Sequence, residues 1–119
     1  MLYAIVCTQG HMNSREVENE CVAQKWVPLV VFRKEGKTFM PFFKVTKFAR
    51  RFAKRNLPKE WLTGAVNLGD EDRAIITGKG IICTVLDFPD KLKDVAEFDI
   101  EIHEYHPNTE VEMAIMKPP

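Results

Sequence analysis

Four titratable side chains lie close together near the end of the chain, at Glu101, His103, Tyr105 and His106. In a strand, alternate residues share a face, so Glu101, His103 and Tyr105 would project together while His106 would point away. One carboxylate and two imidazoles could hold a metal ion or transfer protons, although their spacing differs from the strong zinc motifs. We therefore weigh an acid–base or metal site here against the commoner case of a solvated surface strand.

A second candidate for chemistry is the loop Gly10 to Ser14, which leads into a predicted helix. The free amides at a helix N-terminus attract anions, and this loop also contains a histidine. The sequence contains no phosphate-binding loop, nucleophile elbow, HExxH motif or dinucleotide fingerprint. A small enzyme with an anion-binding pocket, formed by this loop or by the His103/His106 region, is therefore the alternative functional hypothesis.

The three cysteines, Cys7, Cys21 and Cys83, lie far apart and are odd in number. This arrangement fits neither a disulfide framework nor a paired CxxC metal motif. Cys7 and Cys83 fall in apolar, strand-like runs, where cysteine packs as a small hydrophobic residue. We expect reduced thiols, and neither a metal nor another cofactor.

A net charge of zero, from 17 basic and 17 acidic residues, hides a separation of the two signs along the chain. Residues 33–59 carry ten bases and one acid, whereas residues 70–112 carry twelve acids and four bases. The isoelectric point of about 6.8 lies below the range typical of dedicated nucleic-acid-binding domains. A net charge near zero favours association between copies, so we expect a homo-oligomer.

The basic half centres on residues 44–56, which form an amphipathic helix at about 100° per residue, with Phe and Ala on one side and bases on the other. Bases three and four residues apart repel, and no acid on the helix relieves them. We predict that this basic face contacts an anionic partner: an acidic protein surface, another copy of the chain, or nucleic acid. The predicted binding residues are Lys44, Lys47, Arg50, Arg51, Lys54 and Arg55.

Two alternatives compete with partner binding at this basic face. It could simply be solvated and screened by counterions, as most basic helix faces are. It could also pair with Glu97, Asp99 and Glu101, which a strand would present together, in the same chain or in a copy. The acidic half of the chain would repel a nucleic acid. Base stacking would require an exposed ring, for which the candidates are Phe32, Phe39, Phe42 and Phe43.

The elements that position these residues can be read from apolar periodicity and turn residues. The sequence predicts a helix over 13–26, and Thr46 is the predicted N-cap of the basic helix, which Pro58 stops. Three acids at 70–72 precede the segment 73–77 and Gly78 follows it, a layout that favours a short helix. A strand is the competing prediction, because the segment contains several β-branched residues. Strands are predicted at 2–8, at 27–32 and 38–43 as a hairpin turning at Gly36, at 81–88, at 97–105 and near 111–115.

This order predicts an α+β fold: an antiparallel sheet with two main helices packed on one face, with a ferredoxin-like βαββαβ core and extra C-terminal strands. A chain of this size supports one core, so residues 1–119 are read as a single domain. No apolar run approaches the roughly 18 residues of a membrane span, and LYAIV follows Met1 without signal-peptide features. We expect a cytoplasmic, non-enzymatic binding or regulatory module with no membrane partner.

Overall fold

A computed structural model describes residues 1–8, 26–86, 95–107 and 113–115. Within these ranges the chain forms seven strands, two α-helices and a short 3-10 turn at Val95–Glu97. The helices are α1 (Thr46–Asn56) and α2 (Asp70–Gly78). The strands are β1 (Leu2–Thr8), β2 (Val27–Lys34), β3 (Lys37–Phe43), β4 (Leu62–Leu68), β5 (Ile81–Val85), β6 (Asp99–Tyr105) and β7 (Met113–Ile115).

The sheet is built around β1, β2 and β3, each of which pairs antiparallel with the other two. Each central strand also carries a neighbour on its other edge: β4 pairs with β1, β6 with β2, and β5 with β3. The short strand β7 extends the sheet beyond β4. Among the described strands, β3 and β5 form the one parallel pair. The sheet therefore extends outward from its centre in three directions.

The hairpin of β2 and β3 turns at Glu35 and Gly36, as predicted. Both residues have positive φ, 52° and 77°, which is the requirement of the two-residue turn that matches the twist of paired strands. Phe32 lies opposite Phe39 in the register that this turn sets. The β2–β3 hairpin is confirmed.

The basic helix is also confirmed, but its N-cap differs from the prediction. Val45 occupies the cap position with extended backbone and no side-chain hydrogen bond, and Thr46 is already helical. The prediction of Thr46 as N-cap is therefore wrong. The helix ends at Asn56, two residues before Pro58, as the backbone restriction before proline requires.

The segment after β4 forms the helix α2 rather than the competing strand. Three acids occupy its first turn, where the helix dipole stabilises negative charge, and Gly80 at φ 88° turns the chain into β5. Ile76 of α2 is fully buried in the core. Burial of the apolar side of the helix in the core and the acids in its first turn therefore outweigh the weak preference of its β-branched residues for a strand.

The two helices cover opposite faces of the sheet, because alternate strand residues belong to separate apolar clusters. Val6 of β1 packs in a cluster with Ile76 of α2, while the neighbouring Ile5 packs in a cluster with Phe52 of α1. The two described helices therefore lie on opposite faces. The prediction of two main helices on one face concerned the helices over 13–26 and 44–56, and it is not tested because residues 13–25 lie outside the described residues. The ferredoxin-like βαββαβ order is not confirmed. The mixed α+β class and the extra C-terminal strands are confirmed.

None of the helices in the described residues is both long enough and apolar enough to span a membrane.

Candidate anion-binding site

The orientation of α1 is fixed by the side that it buries. Phe52 packs edge-on against Phe32 at 5.7 Å between ring centroids, and it lies 5.2 Å from Phe43. Ala49 and Ala53 are buried beside it. Because this side of α1 faces the sheet, the bases are turned toward solvent, and all six predicted binding residues are exposed.

Four of these bases have no charged partner within the part of the chain that the structure describes. No ion pair and no side-chain hydrogen bond there involves Lys47, Arg50, Arg51 or Lys54, a set that we call the α1 patch. Lys44 and Arg55 at the two ends each make a contact of their own. The α1 patch is therefore a run of four exposed cations without a neutralising acid in the described structure.

Spacing within the α1 patch makes these charges neighbours. Lys47 lies three and four residues before Arg50 and Arg51, and both arginines lie three or four residues from Lys54. Each like-charge pair costs about 0.2–0.5 kcal/mol, so the four pairs together oppose helix formation by about 1–2 kcal/mol before screening by salt. An external anion would remove this repulsion.

Two of the three acids considered as partners of the basic helix pair with the hairpin instead. Glu97 binds Lys34, with 2.6 Å between Oε2 and Nζ, and Glu101 lies 3.8 Å from a nitrogen of Arg33. In β6, Ile100 and Ile102 pack on the α1 side of the sheet, so the alternate residues Asp99 and Glu101 point to the α2 side. Pairing between the basic helix and this acidic strand of the same chain is thus not found among the described residues.

The rings proposed for base stacking are not available. Phe32, Phe42 and Phe43 are buried, so these three do not meet the condition of an exposed ring. Phe39 is half-buried and packs against Phe98, with 6.4 Å between ring centroids.

On the α2 side of the sheet, the structure brings together a polar cluster that the sequence did not predict. The Tyr105 hydroxyl donates a hydrogen bond of 2.6 Å to the Asp72 carboxylate, and the two residues are only 1% and 6% exposed. Burial, then the bond to Asp72 and its charge, raise the pKa of Tyr105. Lys79 Nζ lies 5.5 Å from the centre of the Tyr105 ring.

His103 belongs to the same face as Glu101 and Tyr105, as the alternation predicted. It is half-buried, and its Nε2 atom is enclosed without a hydrogen-bond partner in the described structure. Burial and the charge of Lys79 lower the pKa of His103, so the ring is neutral at pH 7. The predicted site residue His106 instead lies 3.1 Å from Glu104 at the surface.

The candidate metal set of Glu101, His103 and His106, the alternative to a solvated strand, is not assembled. Glu101 lies by Arg33 and His106 by Glu104, and in the described ranges no three His, Cys, Asp or Glu side chains are grouped so that they could hold a metal ion.

Cys7 and Cys83 form no disulfide within the described residues. Cys7 is fully buried in β1, and burial raises its pKa to about 12, which suppresses the reactive thiolate. Cys83 is half-buried in β5, where the Thr77 hydroxyl approaches its sulfur at 3.5 Å. The packing interpretation of Cys7 is confirmed. Cys21 and the Gly10 to Ser14 loop lie outside the described residues.

Asp72 and Lys79 are the polar residues that sequence reasoning missed. In the sequence, Asp72 is one of three acids in the first turn of a predicted helix, and its partner Tyr105 is 33 residues away. The signal that could have found the pair was a tyrosine on the apolar face of a strand, since a buried hydroxyl requires a partner. Comparison with known proteins adds no residue assignments: no protein-family model, no curated protein and no solved structure matches this chain.

Proposed function

We propose that this protein is a non-enzymatic binding or regulatory module that contacts an anionic partner through the α1 patch, with Lys44 and Arg55 at its ends. The observation that carries this proposal is the run of four exposed cations without an acidic partner in the described chain. The partner classes are an acidic protein surface, a second copy of the chain and nucleic acid. A cytoplasmic setting and a homo-oligomeric state are part of the proposal.

The energetic support comes from the contrast between the two faces of α1. The buried face, centred on Phe52, attaches the helix to the sheet, so the bases contribute no packing on that side. Their mutual repulsion lowers stability, and an anion bound across them would reverse the sign of that contribution. Binding of an anion to this surface would therefore stabilise the folded protein.

A second candidate function is an enzyme or ligand pocket at the polar cluster. The supporting observation is the neutral ring of His103, whose Nε2 has no partner in the described structure, beside the cation of Lys79. These two groups could together accept a small anion if Nε2 became accessible. Titration with inorganic phosphate, followed through the His103 ring resonances by NMR, tests this. Unchanged resonances at millimolar phosphate would reject it.

The main proposal is tested by fluorescence anisotropy with three labelled polyanions: poly-L-glutamate, inorganic polyphosphate and a short duplex DNA. Wild type is compared with Arg50→Glu/Arg51→Glu. The matched control, Lys37→Glu/Lys59→Glu, makes the same change in net charge at exposed sites outside α1. We expect at least one polyanion to bind wild type and the control but not the α1 variant. Equal binding by both variants, or no binding by any protein, would reject the proposal.

A further inference from the structure

The structure points to one partner class for the α1 patch, and this inference rests on the function proposed above. We infer that the α1 patch binds the phosphate backbone of a double-stranded nucleic acid without reading its base sequence. Four features of the described structure favour this partner: the absence of an apolar centre, the burial of the rings, the spacing of the cations and the position of the acids.

The surface around the α1 patch lacks, among the described residues, what a protein partner uses. Protein interfaces have an apolar centre, are enriched in aromatic residues and are depleted in lysine. The exposed large hydrophobic side chains of the described chain are Met1, Val45, Ile82 and Val85, and only Val45 adjoins α1. A cationic surface containing two lysines and no aromatic centre matches protein–DNA interfaces, which are more polar and more positive than those between proteins.

The burial of the aromatic rings favours a double-stranded over a single-stranded nucleic acid. Single-strand binding combines cations with exposed aromatic rings, on which successive bases stack. Phe48, the aromatic residue of α1 nearest the patch, is half-buried and packs into the core cluster on the α1 side of the sheet. The sites that remain for contact are charges, which bind phosphates and supply no base readout. The higher charge density of a duplex then favours it over a single strand.

Cation spacing in the α1 patch is compatible with a phosphate row. From Lys47 to Lys54 the helix rises seven residues, or about 10 Å at 1.5 Å per residue. Phosphates of one strand recur about every 3.4 Å along a duplex, so this length passes about three of them. Arg50 and Arg51 at the middle offer planar forks that match phosphate oxygens, and the lysines act as point charges at the ends.

Several of the described acidic residues lie away from α1. Asp70 and Glu71 open α2 and Asp99 and Glu101 project from β6, all on the opposite side of the sheet from α1. Asp70 is also paired with Arg73, and Glu101 with Arg33. Glu104 lies on the α1 side with Ile100 and Ile102, and Glu97 is neutralised by Lys34, so the repulsion that a duplex along α1 meets from the described acids is reduced.

The test is fluorescence anisotropy over a salt series with duplex DNA, duplex RNA and single-stranded RNA of one length. Poly-L-glutamate represents an acidic protein surface, and phosphatidylserine vesicles represent an anionic membrane. We expect both duplexes to bind more tightly than the single strand, with no dependence on base sequence. For duplex DNA, a log-log salt slope of about −3 to −4 corresponds to three or four contacts at about −0.9 each.

Two variants and a matched control locate the contact. Arg50→Gln/Arg51→Gln should reduce the slope by about 2 and the affinity at low salt at least tenfold, since two phosphate contacts are lost. Arg50→Glu/Arg51→Glu should abolish binding, whereas Lys37→Glu/Lys59→Glu should stay within about twofold of wild type. Circular dichroism confirms that each variant is folded.

Each contrary result has a distinct meaning. Tighter binding of poly-L-glutamate or vesicles through the same arginines would overturn the duplex inference and leave the proposed function standing. A preference for single strands or for one base sequence would overturn the backbone mode. Failure of every polyanion to bind would overturn both this inference and the proposed function.

Discussion

The two described helices carry charges of opposite sign and use them in opposite ways. In α2, Asp72 is buried against the Tyr105 hydroxyl, and Arg73 donates hydrogen bonds to Asp70 and to the Leu68 carbonyl. In α1, the four cations of the α1 patch make no such bond within the described chain. Charge on α2 therefore helps to hold the fold, whereas the charge of the α1 patch is exposed to solvent and contributes no bond to the described structure.

The largest effect is expected at the apolar anchor of α1. Phe52→Ala removes a ring that is 1% exposed and packs against two other phenylalanines, so it should lower the free energy of unfolding by about 3–5 kcal/mol. Urea denaturation measures the change. Phe48→Ala, at a half-buried position of the same helix, is the control and should cost clearly less. Equal losses would mean that Phe52 is not the anchor.

A smaller loss is expected on the α2 side of the sheet. Tyr105→Phe leaves the Asp72 carboxylate buried without its donor, which should cost about 1.5–3 kcal/mol. Tyr3→Phe removes a hydroxyl whose contact is the sulfur of Met1, and it should cost less than about 0.5 kcal/mol. If urea denaturation shows the same small loss for both variants, the buried Tyr105–Asp72 bond does not stabilise α2.

The next largest effect is a dependence of the free energy of unfolding on pH, caused by His103. We expect it to be smaller than the loss of stability in Tyr105→Phe. The folded-state pKa of His103 lies below the usual value of 6.5, because burial and Lys79 disfavour its charged form. The unfolded chain therefore takes up this proton first, and stability should fall as the pH drops below 6.5 toward the folded-state value. Above that range the His103 contribution is constant.

Urea denaturation between about pH 7.5 and about pH 5, a range that brackets the ordinary histidine pKa, measures this dependence. His103→Gln should remove it, while His106→Gln, which changes an exposed ring beside Glu104, should leave it in place. Loss of the pH dependence in the His106 variant alone would show that the titrating group is the exposed ring.

The elements of this fold were predictable where local rules decide them. The β2–β3 hairpin follows from Gly36 and its flanking apolar runs, and the basic helix follows from its periodicity and from Pro58. The competition over residues 70–78 was decided by burial of Ile76 against the sheet, which is a tertiary effect.

The arrangement of these elements was not predictable, because it depends on contacts between distant residues. Mutual pairing of β1, β2 and β3 and the placement of α1 and α2 on opposite faces leave no mark in local periodicity. For the candidate site, exposure of the basic face was correctly predicted from helix geometry. The partners of the acids were not, since Lys34 and Glu97 are 63 residues apart.

The most direct test of whether α1 charge is reserved for a partner is the free energy of unfolding of Arg50→Glu/Arg51→Glu, measured by urea denaturation without any ligand. The substitutions replace repulsive charge pairs with Lys47 and Lys54 by attractive ones. Each such pair changes the free energy of unfolding by about 0.2–0.5 kcal/mol. We expect stability equal to wild type or higher by up to about 1–2 kcal/mol. A loss of more than about 1 kcal/mol would contradict the account, because the arginines would then be holding the fold.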